Sequence, residues 1–232
     1  ILAIMQLANA HGASPKIEAE YAEGEVTLDG VLDEKVWSRA TKEGSDMLQY
    51  EPRQGVPMSQ KTEFMVAYDE DNVYFGIIAY DTEPAKIVAS VMERDESPFY
   101  DDSLFLAIDT MNDSRNGYVL WTNPNGIKYD ASVTNNSSLN SQWDGIWDVK
   151  SIRTAKGWQV EIKLPFSTIR HQKGENDWGF NLWRKLPRNG EAGRWSGSRP
   201  EVRTYHFAQA GKIRGININR SSLNLEVTPY VL

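Results

Sequence analysis

The feature that most constrains this chain is a long succession of short apolar segments, each closed by Gly, Asn, Asp or Pro, with almost no helical periodicity between them. Segments at 61–68 and 72–80 flank the turn Asp69-Glu70-Asp71, and others fall at 103–109, 117–122, 128–133, 148–153, 158–164, 178–183, 204–207 and 213–218. In the first, Thr62, Phe64 and Val66 face opposite Glu63, Met65 and Ala67, the period-two pattern of a strand. From Val73 to Ala79 both faces are apolar, which predicts a central strand. Two stretches break the pattern. Leu32, Val36, Trp37 and Ala40 share one helical face over 32–40, where Asp33 is placed to accept from the free N–H groups at the start. Pro165 opens one helical turn over 165–169. Many short strands joined by turns predict an all-β fold, an antiparallel β-sandwich with one or two short helices. No internal repeat or low-complexity linker divides residues 11–218, which predicts one domain there.

The two ends carry their own patterns. The apolar run 1–7 is followed by Ala8-Asn9-Ala10, a small-x-small site, so residues 1–10 read as the remnant of a secretory signal peptide. That predicts an exported protein. No stretch approaches the ~20 apolar residues of a membrane helix. Leu223, Leu225 and Val227 alternate with Asn224, Glu226 and Thr228, so residues 219–232 read as a linker and the first strand of a following domain.

Composition removes several function classes. Lys and Arg number 25 against 32 Asp and Glu, a net charge of −7 that repels phosphate backbones and disfavours nucleic acid. Without cysteine there are no disulfides, no thiolate chemistry and no Cys-based zinc sites. Three histidines leave little for His-based catalysis. Asp95, Glu96, Asp101, Asp102, Asp109 and Asp113 crowd one region, and such oxygens suit calcium or a glycosidase acid/base pair. No D-x-D-x-D-G loop is present, and solvated loops or salt bridges to Arg94 or Arg115 are the plainer expectation. No cofactor is expected, calcium being the one metal left open.

Eight Trp and ten Tyr either pack a core or stack on flat ligands. Trp37, Trp158 and Trp178 sit in apolar segments and belong to a core. Trp121, Trp143, Trp147 and Trp195 lie beside Asn, Gln, Asp or Arg, as ligand-facing rings do, and the Asp144-Gly145 turn sets Trp143 and Trp147 on one rim.

The order of these pieces resembles carbohydrate-binding module family 9. Leu28-Asp29-Gly30-Val31-Leu32-Asp33-Glu34 with Trp37 is similar to that family's opening motif, and 67–74 to its first hairpin. Asp102-Ser103-Leu104-Phe105-Leu106-Ala107-Ile108-Asp109, Gly157-Trp158-Gln159-Val160-Glu161 and Gly179-Phe180-Asn181 follow in the family's order, so the likeness spans about 24–218. A narrower likeness runs through Arg94-Asp95, Gly117-Tyr118, Asn123-Pro124, Trp147, Ile169-Arg170, Arg184, Glu191 and Trp195. It is to a bacterial group in which such a domain precedes an outer-membrane β-barrel.

The resemblance implies a jelly-roll-like sandwich, a non-catalytic role and a glycan partner, with any link to glycan degradation made through the parent protein. It also implies a sugar ring held between two aromatic side chains, with amides and charged groups on its hydroxyls. Phe99 stands where the family carries its first stacking Trp; Trp195 or Tyr205 stands near the second. Tyr118-Val119-Leu120-Trp121 occupies the strand that carries a sugar-holding Arg in the family. The expected site has Phe99, Trp121 and Trp195 stacking, with Arg94, Asp102, Asn123 and Arg184 making polar contacts. The rival expectation is a structural or interaction cap on a barrel, with no sugar site.

Overall fold

The computed structural model describes residues 14–197, 199 and 201–219. The signal-peptide remnant over 1–10 lies outside the described residues, as does the expected terminal strand beyond Asn219. Two sheets pack face to face. The larger runs in the order β1 (Lys16–Glu18), β14 (Gly211–Ile218), β12 (Gly174–Leu186), β6 (Ser103–Asp109), β7 (Gly117–Thr122), β8 (Tyr129–Thr134) and β9 (Ser138–Asn140). From its end, β12 also pairs β13 (Glu191–Arg194), which pairs β3 (Leu48–Glu51). The smaller sheet runs β10 (Asp148–Thr154), β11 (Gly157–Pro165), β5 (Asn72–Tyr80), β4 (Thr62–Tyr68) and β2 (Glu20–Tyr21). Among the described residues only β1–β14 and β2–β4 pair in parallel.

Strand alternation divides the side chains into three apolar layers. Between the sheets, Leu104, Leu106 and Ile108 of β6 and Trp178, Phe180 and Leu182 of β12 meet Phe64, Val66, Phe75, Ile77, Val160 and Ile162. Phe75 and Phe180 stack across this core with centroids 5.5 Å apart. Burial of this apolar area is the main driving force for folding.

A second layer covers the outer face of the smaller sheet, where α1 (Lys35–Arg39) brings Val36 and Trp37 onto Met65, Ala67 and Tyr74. Gly76 makes the close approach of this layer: a Cβ there would lie 2.8 Å from Leu32 and 3.1 Å from Trp37. Glu161, buried in β11, anchors the layer. It accepts from the backbone N–H of Gly30 at 2.8 Å, from that of Asp29 at 3.1 Å and from the indole N–H of Trp37 at 3.0 Å. Gly30 turns there with φ +89°, a conformation glycine adopts without steric cost. The opening motif and the distant Glu161 therefore form one structural unit.

Three sequence expectations are corrected. Asp33 does not cap α1; the N-cap position is Glu34, which makes no side-chain cap hydrogen bond and instead accepts from Thr27 N–H. Residues 204–207 form no strand; a short 3-10 turn, Phe207–Gln209, lies there. β1, β2, β3, β9 and β13 were not foreseen, because strands of two to four residues are too short to show alternation. The helical turn after Pro165 is present as a 3-10 turn, Phe166–Thr168.

Candidate functional site

The third layer lies on the outer face of the larger sheet and is built by strand register. Phe105 of β6 stands opposite Trp121 of β7 and opposite Trp183 of β12. Trp121 in turn faces Tyr129 of β8, and Trp183 faces Arg194 of β13. The row Arg194, Trp183, Phe105, Trp121, Tyr129 thus crosses five strands on one face. Because side chains alternate, these residues point away from the core that Leu104, Leu106 and Leu182 enter. The rings interlock edge to face, with Phe105–Trp121 centroids at 5.5 Å, Trp121–Trp183 at 5.7 Å and Trp121–Tyr129 at 5.7 Å. Such pairs contribute about 1 kcal/mol each beyond their burial.

Loops complete the face. Phe99 and Tyr100, from the loop before β6, stand edge to face at 5.3 Å, and Phe99 reaches Trp121 at 6.5 Å. Phe99 is 45% exposed and Tyr100 80%, whereas Phe105, Trp121 and Trp183 are 8%, 9% and 4% exposed. The latter three form a floor and the former two a free rim. Tyr50 accepts the indole N–H of Trp183 at 2.7 Å, and burial raises its phenol pKa. Tyr205 leans on Phe105 at 6.5 Å. Arg194 stacks over Tyr50 at 4.1 Å, and Lys185 Nζ lies 3.3 Å from the Phe99 ring centre.

The expected site residues separate into two groups. Phe99 and Trp121 come together on this face. Trp195 does not: it follows Arg194 in the chain, so alternation turns it inward, where it packs on Phe64 at 5.1 Å and Phe180 at 5.8 Å. Arg184 is likewise turned inward and fully buried. It donates to the carbonyls of Lys61 and Tyr80 and to the Thr62 hydroxyl, and desolvation pushes its pKa down to about 10. Asn123 is buried and donates to Asp101 and to Val91 O. Asp102 is buried, accepts from Val88 N–H, and has its pKa raised by desolvation. All three are joints of the scaffold. Arg94 pairs with buried Asp130 at 3.0 Å and with Asp144. It ties the loop carrying Phe99 to the 143–147 loop, whose Trp147 also donates to Asp130 at 2.7 Å.

Trp143 and Trp147 do not share a rim. Trp147 is 1% exposed in the inter-sheet core, and Trp143 packs on Tyr118 at 4.7 Å. The clustered carboxylates serve turns. Asp101 accepts from Ser90, Val91 and Asn123; Asp109 from Asp113 and Ser114; Asp113 from Arg115 and Asn116. Among the described residues no three His, Asp or Glu side chains converge as metal ligands would. Sequence reasoning missed Phe105, Trp183, Tyr129, Tyr50, Tyr100, Lys185 and Arg194. The parity of Phe105 and Trp121 was readable, but their alignment with Trp183 needs the β6–β12 register.

Two packed sheets with an interlocked aromatic outer face and a free aromatic rim define a β-sandwich of the binding-module class. The chain belongs to the carbohydrate family 9 binding domain-like family, whose model matches residues 28–192. No curated protein sequence matches it significantly. Among solved structures it is similar to a candidate carbohydrate-binding protein from Bacteroides uniformis, with a TM-score of 0.70 at 11% identity over 87% of this chain and 99% of that one. It is also similar to a family 9 carbohydrate-binding module from Caldicellulosiruptor kristjanssonii. In its glucose complex the TM-score is 0.61 at 15% identity, covering 92% of this chain and all of that one. In its cellotriose complex the TM-score is 0.57 at 16% identity over the same shares. At these identities the likeness is one of fold.

Proposed function

We propose that this chain is a non-catalytic carbohydrate-binding module that holds a sugar against the aromatic outer face of its larger sheet. The observation that carries this proposal is the exposed pair Phe99 and Tyr100, set beside a row of interlocked rings. Pyranose C–H faces pack on aromatic faces, and the nearby phenols supply directed partners for hydroxyls. Membership of a carbohydrate-binding family supports it, as do the glucose and cellotriose bound by the Caldicellulosiruptor module. Titration calorimetry with glucose, cellotriose and a panel of neutral and acidic oligosaccharides tests it. Saturable heats that Phe99→Ala weakens are expected; flat heats across the panel contradict it.

The second reading, a structural or interaction domain without a sugar site, is favoured by the depth of Phe105, Trp121 and Trp183 and by the departure from the family at Tyr118–Trp121. It predicts those flat heats. We also infer that the module is exported and carried ahead of an outer-membrane β-barrel. The support is the sequence likeness running from Arg94-Asp95 to Trp195, and the coding sequence of the parent protein checks it.

A further inference from the structure

Three cations lie against the rings of this face. Lys185 Nζ lies 3.3 Å from the centre of Phe99, the Arg194 guanidinium 4.1 Å from Tyr50, and that of Arg203 5.7 Å from Tyr205. Among the described residues none of the three has a carboxylate within ion-pair distance; Arg194 donates to Arg199 O, and Arg203 to Ser137 O and to the Tyr205 hydroxyl. Some cations elsewhere are paired, Arg94 with Asp130 and Asp144 and Arg188 with Asp81. The acids whose charge reaches this face are Glu51, which acts through space on Lys185 and Arg194, Glu201, which acts on Arg194, and Asp95 and Asp130, which act on Tyr129; Glu51, Glu201 and Asp95 are exposed, and Asp130 is paired with Arg94.

A half-buried ammonium on an aromatic ring has given up part of its hydration, so an arriving anion gains more there than it would in open water. The ammonium also occupies one face of Phe99, where a neutral pyranose would otherwise stack. We propose that the ligand of this face is an acidic sugar, a hexuronate unit or oligomer. Its carboxylate pairs with Lys185 while its ring lies against Phe99 and Tyr100, and buried Arg194 adds to the positive potential. This rests on the carbohydrate-binding proposal above and narrows it.

Titration of the whole chain with a β-1,4-linked glucuronic acid trimer, against cellotriose of the same linkage and length, tests it. The trimer is expected to bind about tenfold more tightly than cellotriose at low salt, with the advantage shrinking as salt rises. Lys185→Gln is expected to remove most of that advantage, read as the ratio of the two affinities. Thermal melts confirm that this variant folds, and Arg203→Gln gives an independent reduction at the same face. If cellotriose binds as well as the acidic trimer, or Lys185→Gln leaves their ratio unchanged, the acidic-sugar inference is overturned while sugar binding stands. If neither trimer binds, the underlying proposal fails and takes this one with it.

Discussion

Lys185 and Phe99, from different segments, meet with the ammonium nitrogen 3.3 Å from the ring centre. The contact fixes an otherwise exposed ring in place at the edge of the aromatic face. Because Phe99 is 45% exposed, little core packing depends on it.

Phe99→Ala is therefore expected to separate binding from stability. Loss of the rim ring should weaken sugar binding about tenfold or more, while unfolding free energy changes by less than about 1 kcal/mol. Calorimetry and urea melts on one preparation check both.

Trp195 gives the opposite expectation. It packs on Phe64 and Phe180 between the sheets, so Trp195→Ala opens a core cavity and should cost about 3–5 kcal/mol. Chemical denaturation measures this; a change below about 1 kcal/mol would return Trp195 to the surface.

Arg184 is a buried cation whose donors satisfy the carbonyls of Lys61 and Tyr80 and the Thr62 hydroxyl, joining the end of β12 to the smaller sheet. Arg184→Ala strands these acceptors and is expected to destabilise by about 3 kcal/mol. Urea melts measure the loss, and a near-neutral result would show that water takes the place of the guanidinium.

Glu161 carries a pH dependence. Burial raises its pKa to about 7, against the pull of hydrogen bonds from Gly30, Trp37 and Asp29. An acid with a folded pKa above its unfolded one holds its proton longer in the native state. Its contribution to stability is full below about pH 4.5 and is lost as pH rises through about 7, a few kcal/mol at most. Glu161→Gln is expected to flatten the decline in melting temperature between about pH 5 and pH 8. An unchanged slope would assign the decline to other groups.

Much of the fold was legible because its long strands alternate. β4, β5, β6, β7 and β11 announced themselves through apolar periodicity and turn residues. The site was legible only in part. Trp121 and Phe99 were expected at it and meet on one face, but Trp195 and Arg184 look equally polar in sequence context and turn inward by a single step of parity. Asp102 and Asn123 flank strand ends, where a sequence cannot distinguish a ligand contact from a hydrogen bond to the scaffold. Trp183 and Lys185 joined the site through a register that pairs β12 with β6, a relation between residues about 80 apart that no local pattern encodes.

The central claim, that sugar binds on the outer face of the larger sheet, is tested most directly by following the tryptophan indole N–H signals by NMR. The titrants are cellotriose and the glucuronic acid trimer. Trp121 and Trp183 lie on that face, whereas Trp158 and Trp178 are sealed between the sheets. The expected result is saturable shifts of the Trp121 and Trp183 signals with at least one titrant, while those of Trp158 and Trp178 stay fixed. Signals that all stay fixed with both sugars, or shifts confined to other tryptophans, would contradict the claim.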